Sequence, residues 1–147
     1  MTKAIYFDMD GTIANLYGVD NWLNMLRAYD STPYEIAKPL VNMNSLARLL
    51  NNLQKKGYKI GIVSWLSKNS NKNYDTDVTN AKIKWLSSHL KSVNFNEIHI
   101  VAYGTPKQKV VKNPKGILFD DEKYNRDTWD GVAYDVDNII EILKGLA

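Results

Sequence analysis

The run Ala4-Ile5-Tyr6-Phe7 is apolar on both faces that a strand would present, and it stops abruptly at Asp8-Met9-Asp10-Gly11-Thr12. A strand with no polar face has to be covered on both sides, which a parallel sheet between helices provides and a half-wet antiparallel sheet does not. The construction recurs. Lys59-Ile60-Gly61-Ile62-Val63 ends at Ser64, Glu97-Ile98-His99-Ile100-Val101 is a third strand, and Gly116-Ile117-Leu118-Phe119 ends at Asp120-Asp121. Between the first two, Leu46, Leu49, Leu50 and Leu53 form one helical stripe from about Asn44, closed by Lys55-Lys56 and by Gly57 as left-handed cap. The polar stretch Ser67 to Asn80 reads as a loop leading into a helix whose Ile83, Leu86 and Leu90 share a face. Thr105-Pro106 is predicted to start another helix, placing Lys107 and Lys109 in its first turns and Val110-Val111 on its buried side. After a short strand at Val132-Ala133-Tyr134, residues Ile139, Ile140, Leu143 and Leu146 mark a final amphipathic helix. This alternation predicts an α/β fold: a Rossmann-like open parallel sheet with helices on both faces, right-handed crossovers, and a ligand site beyond the carboxyl ends of the strands.

The 147 residues make one domain, 1–147, with 44% apolar and 24% charged residues, the balance of an ordinary globular chain. One segment breaks the alternation. Residues 15–42 are far longer than a strand-to-helix link and carry Tyr17, Trp22, Leu23, Leu26, Tyr29 and Tyr34, so a small helical cap or packed insertion is expected there. Net charge is +3, too small and scattered for a duplex nucleic-acid surface, though it suits a small anionic ligand. The chain has no cysteine, which excludes disulfides and thiolate metal sites, and no apolar run approaches a membrane span. A cytoplasmic location without membrane partners is the expectation; the sequence carries no signal of oligomeric state.

Polar groups gather where the strands end. Asp8, Asp10, Ser64 and the pair Asp120-Asp121 all fall on one rim of the predicted sheet, with Lys107 or Lys109 entering from the segment after the third strand. Each alone has an ordinary explanation: Asp-Gly is a common turn, and Ser64 would serve as a loop hydroxyl. Together, four carboxylates on one rim raise one another's pKa unless a cation neutralises them, and Mg2+, hard and oxygen-seeking, is the economical cation. His89 and His99 have no metal-ligand spacing and read as surface or half-buried histidines. The insertion's aromatic residues suit a core as well as a surface on which a nucleobase could stack.

Asp8-Met9-Asp10-Gly11-Thr12 resembles motif I of the haloacid dehalogenase-like (HAD) phosphohydrolases, Ser64 after Ile62-Val63 resembles motif II, Lys107 or Lys109 motif III, and Ile117-Leu118-Phe119-Asp120-Asp121 motif IV. Within that superfamily, Ala81-Lys82-Ile83-Lys84-Trp85-Leu86-Ser87-Ser88-His89-Leu90 and the stretch from Ile98 to Asp121 are similar to the 5'(3')-deoxyribonucleotidase family. The resemblance implies a hydrolase: an Mg2+-dependent phosphatase in which Asp8 is the nucleophile, Asp10 the general acid and base, and Ser64 and Lys107 the groups that bind the phosphoryl oxygens. It further implies metal binding by Asp8, Asp10 through its main chain, and Asp121, with Asp120 beside them orienting the lysine. Met9, Trp65 and Lys109 are candidate substrate contacts, Trp65 because it directly follows Ser64. The implied substrate is a small phosphorylated molecule, a nucleotide by the nucleotidase likeness; a phosphatase for nucleic-acid ends and a non-catalytic phosphate-binding module are the alternatives.

Overall fold

The structure, a computed structural model, describes residues 3–147. Five strands, β1 (Ala4–Phe7), β4 (Lys59–Trp65), β5 (Glu97–Val101), β6 (Ile117–Phe119) and β7 (Val132–Tyr134), form one parallel sheet in the order β5-β4-β1-β6-β7. The first strand is therefore central, and its four residues are all buried, as a strand without a polar face requires. Its register sets Phe7 beside both Ile62 and Phe119, so Asp8, Ser64 and Asp120 leave the sheet at the same end.

Alternation along β1 divides the core. Ile5 and Phe7 join Leu46, Leu50 and Leu53 of α3 (Met43–Lys55), Trp85 and Leu86 of α4 (Lys72–His89), and Ile139 and Leu143 of α6 (Ile139–Leu146). On the other face Ala4 and Tyr6 meet Val63, Val111, Leu118 and Trp129. The Phe7 and Phe119 rings stack at 5.2 Å across the central strands. Helix α3 starts where Asn42 accepts a hydrogen bond from the Ser45 N–H (2.9 Å), and Gly57, at φ +95°, turns the chain out of it.

Two expectations need correction. Helix α4 starts at Lys72, well inside the stretch read as a loop, capped by Asn71, whose side chain accepts from the Tyr74 N–H at 2.8 Å. Its buried stripe is Tyr74, Val78, Ala81, Lys82, Trp85 and Leu86; of the expected face of Ile83, Leu86 and Leu90, the two leucines are buried and Ile83 is exposed. The helix expected from Thr105-Pro106 is a single 3-10 turn, Lys107–Lys109. The reason is tertiary: the Lys112 N–H donates to Glu97 (3.0 Å) and the Asn113 N–H to the Tyr6 hydroxyl (3.1 Å), so these donors are spent on side chains from other strands. Pro114, following directly, disfavours a helical Asn113.

Between β1 and α3 the chain builds a small unit: a two-stranded antiparallel sheet of β2 (Ala14–Asn15) and β3 (Lys38–Pro39), with α1 (Trp22–Arg27) and α2 (Thr32–Ile36) between them. Leu16 and Tyr34 of this unit pack on Tyr74, Val78 and Ala81 of α4, and the Trp85 indole donates to the Ala37 carbonyl at 2.7 Å. Among the described residues no helix is long and apolar enough to cross a membrane.

Candidate active site

The carboxyl ends of β1 and β6 place Asp8, Asp120 and Asp121 with carboxylate oxygens within 4.8 Å of one another, a grouping that a cation could share. Gly11 makes the approach possible. Its φ is +80°, and a Cβ built there would stand 2.3 Å from Asp121 Oδ2, so both the turn and the proximity exclude a side chain. The Thr12 hydroxyl lies 3.0 Å from Asp8 Oδ2 and 3.4 Å from Asp121 Oδ1, joining the two acids.

Lys107 is 2% exposed and lies between acids, its ammonium 3.0 Å from Asp8 Oδ1 and 2.6 Å from Asp120 Oδ2. Burial works against its charge, but Asp8 and Asp120 outweigh that and raise its pKa above the ordinary lysine value. Asp120 is fully buried and saturated: the Glu122 N–H donates to Oδ1 (2.9 Å), and Asn125 (3.2 Å) and Lys107 share Oδ2. A carboxylate so fully engaged orients Lys107 more readily than it ligates an ion. Asp121 is more open. Burial first, then the neighbouring Asp8, pushes its carboxyl up to about 8, and the same two causes push Asp120 to about 6. Both shifts express carboxylates taken out of water beside another acid, and an all-oxygen donor set of this kind fits Mg2+.

Asp10, two residues beyond Asp8, lines the same cleft as Lys107. Its pKa is raised, mainly by burial, against the pull of the Lys82 ammonium 2.9 Å from Oδ2. Lys82, 1% exposed, also donates to Ser64 Oγ and to the Trp65 carbonyl, each at 2.7 Å. Ser64 is fully buried; with Lys82 occupying one of its lone pairs, its hydroxyl proton is left to donate elsewhere. Sequence reasoning placed Lys82 on α4 but gave it no role. The available signal was the stripe Tyr74, Val78, Ala81, Trp85, whose extension to position 82 puts an ammonium on a buried face, where a charge must find partners.

A cleft of about 560 Å3 opens on Asp8, Asp10, Lys107, Asp120 and Asp121. One wall is Tyr17 and Trp22, in edge-to-face contact at 5.0 Å; another is Trp65 and Tyr103, 4.9 Å apart. Trp65 is fixed by its indole N–H to the Thr105 carbonyl (2.8 Å), and the Lys107 ammonium sits 5.4 Å from its ring centre. Two expected substrate contacts are misplaced. The Met9 side chain is 1% exposed within the core, because the turn after β1 points it back under the sheet's helices, and Lys109 projects into solvent from the 3-10 turn that buries Lys107. Of the two lysines only Lys107 reaches the acids.

No protein-family model matches the chain, and no curated protein matches it significantly in sequence. Among solved structures it is similar to the D,D-heptose 1,7-bisphosphate phosphatase from Burkholderia thailandensis, with a TM-score of 0.55 at 12% sequence identity, over 99% of this chain and 98% of that one. The likeness is one of fold: it agrees with the α/β architecture that the HAD resemblance implies, over the whole chain, and does not single out the nucleotidases.

Proposed function

We propose that the chain is a Mg2+-dependent phosphomonoesterase that works through an aspartyl-phosphate on Asp8 and acts on a nucleoside monophosphate. The observation that carries the reading is the meeting of Asp8, Asp120, Asp121 and Lys107 at the floor of an aromatic-walled cleft at the carboxyl end of the sheet. Asp8, Asp121 and the Asp10 main-chain carbonyl would hold Mg2+, which supplies charge neutralisation to the acids and to the phosphoryl group.

In the first half-reaction an Asp8 carboxylate oxygen bonds to phosphorus while the ester P–O bond breaks, and the Asp10 carboxyl gives its proton to the departing oxygen. In the second, ionised Asp10 takes a proton from water whose oxygen bonds to phosphorus; the Asp8–phosphorus bond breaks and phosphate leaves. Burial that keeps Asp10 easier to protonate than an ordinary carboxyl suits both roles. The Lys107 ammonium and the free Ser64 hydroxyl proton complement charge on the phosphoryl oxygens. Burial and the nearby carboxylates raise the Tyr17 and Tyr34 phenols, so both stay protonated in and beside the cleft. The solved neighbour is itself a phosphatase, which supports the reaction class.

The test is a panel of ribo- and deoxyribonucleoside monophosphates, sugar phosphates, phosphorylated oligonucleotides and p-nitrophenyl phosphate, assayed with Mg2+ against Asp8→Asn as blank. Nucleoside monophosphates should be the best substrates. Preference for oligonucleotide ends would replace the substrate, and phosphate binding without turnover of any ester would favour a non-catalytic module.

A further inference from the structure

Lys82 is a buried cation that the two-step chemistry leaves unused. It comes from α4, the helix after β4, whereas Asp10 follows β1 and Ser64 is the penultimate residue of β4. Its ammonium donates three hydrogen bonds: to Asp10 Oδ2 at 2.9 Å, to Ser64 Oγ at 2.7 Å and to the Trp65 carbonyl at 2.7 Å. Three donors is all an ammonium has, and all three are spent within the protein. The Tyr34 ring, from the unit inserted after β1, closes the remaining side at 5.2 Å, and Tyr34 is held there by a hydrogen bond between its hydroxyl and Ser67 Oγ. An ammonium so enclosed has no donor left for a substrate. What it can do is fix its partners: with Oδ2 held, Asp10 keeps one rotamer and presents Oδ1, which has no hydrogen-bond partner among the described residues, to the cleft it lines.

We propose that Lys82, braced by Ser64 Oγ and the Trp65 carbonyl, is a positioning residue that holds the Asp10 carboxyl so that the free Asp10 oxygen meets the leaving oxygen. This rests on the phosphomonoesterase reading. A proton shuttle contributes typically 10²–10⁴-fold, and misplacement by about 1 Å can remove about 10²-fold of it. The loss should therefore depend on how much the leaving group needs a proton. p-Nitrophenolate departs as a stable anion, whereas a nucleoside alkoxide does not.

The experiment compares wild type, Lys82→Met, Asp10→Asn and the double variant on a nucleoside 5'-monophosphate and on p-nitrophenyl phosphate, with Mg2+. For Lys82→Met, kcat/KM should fall about 100-fold on the nucleotide and by less than about tenfold on the aryl ester. The double variant should be no slower on the nucleotide than Asp10→Asn, because Lys82 acts through Asp10. Lys82→Gln, which keeps two N–H donors, should show the same split and serves if Lys82→Met does not fold. Equal losses on both esters, or additive losses in the double variant, overturn the positioning role while leaving the phosphatase reading intact. A wild type silent towards both esters overturns the phosphatase reading, and this one with it.

Discussion

Replacing Lys107 with methionine removes the cation between Asp8 and Asp120 while nearly preserving volume. The ammonium is 2% exposed and makes contacts of 3.0 and 2.6 Å with two carboxylates that are themselves almost wholly buried. Breaking a buried pair by deleting one partner costs about 3–5 kcal/mol, because the other charges stay desolvated and unpaired. At roughly 2–4 °C per kcal/mol for a chain of this size, the metal-free protein should lose about 6–20 °C in Tm. A second substitution, Asp120→Asn, acts with opposite sign in the two backgrounds. In the wild type Asp120→Asn breaks the pair and should destabilise; in Lys107→Met it removes a charge that repels Asp8 and Asp121 and should stabilise. Thermal and denaturant unfolding of the four proteins in chelator reads both effects. Asp120→Asn destabilising both backgrounds equally would refute the account of Lys107 as the counter-charge of the acid cluster.

Asp8→Asn should abolish nucleotide turnover and Asp10→Asn should cut it about 10²–10⁴-fold, while Ser64→Ala and Lys107→Ala should each cost on the order of 100-fold or more in kcat/KM, measured as released phosphate. Without metal, burial and the nearby Asp8 push Asp120 up to about 6 and Asp121 up to about 8, above the unfolded carboxylate value of about 4. The folded state thus holds protons that the unfolded state releases, and stability falls as pH rises through those folded values. Metal-free Tm should drop between pH 5 and 8.5, and the Tm gain from Mg2+ should be larger at pH 8.5; a gain independent of pH would contradict this. Gly11→Ala meets both a φ of +80° and Asp121 Oδ2 at 2.3 Å. It should cost roughly 1–2 kcal/mol for the left-handed backbone and weaken Mg2+ binding about 10- to 100-fold, followed by calorimetric titration.

The sheet was legible because its strands carry no polar face: Ala4–Phe7 and Ile117–Phe119 admit little but burial in a parallel sheet, and the residues after them then fall on one rim. The segment from Lys107 to Asn113 was not, because the groups that stop its helix, Glu97 and Tyr6, come from strands distant in sequence. Helix α4 hid behind Asn, Asp and Lys, residues that suit loops; its start depends on the Asn71 cap and on burial of Tyr74 and Val78 against the inserted unit. Lys82 was missed for the same reason, since only the full stripe shows that position 82 faces inward. Lys107 and Lys109 share a charge and a neighbourhood in the sequence, and only the tight turn decides which one is buried.

Rapid acid quench of the wild type during turnover of a nucleoside monophosphate with Mg2+, followed by peptide mass mapping, tests the central assignment most directly. A phosphoryl group on Asp8, absent from Asp8→Asn, is the expected result. Phosphate release with Asp8 never modified, or with the phosphoryl group on another side chain, would contradict it.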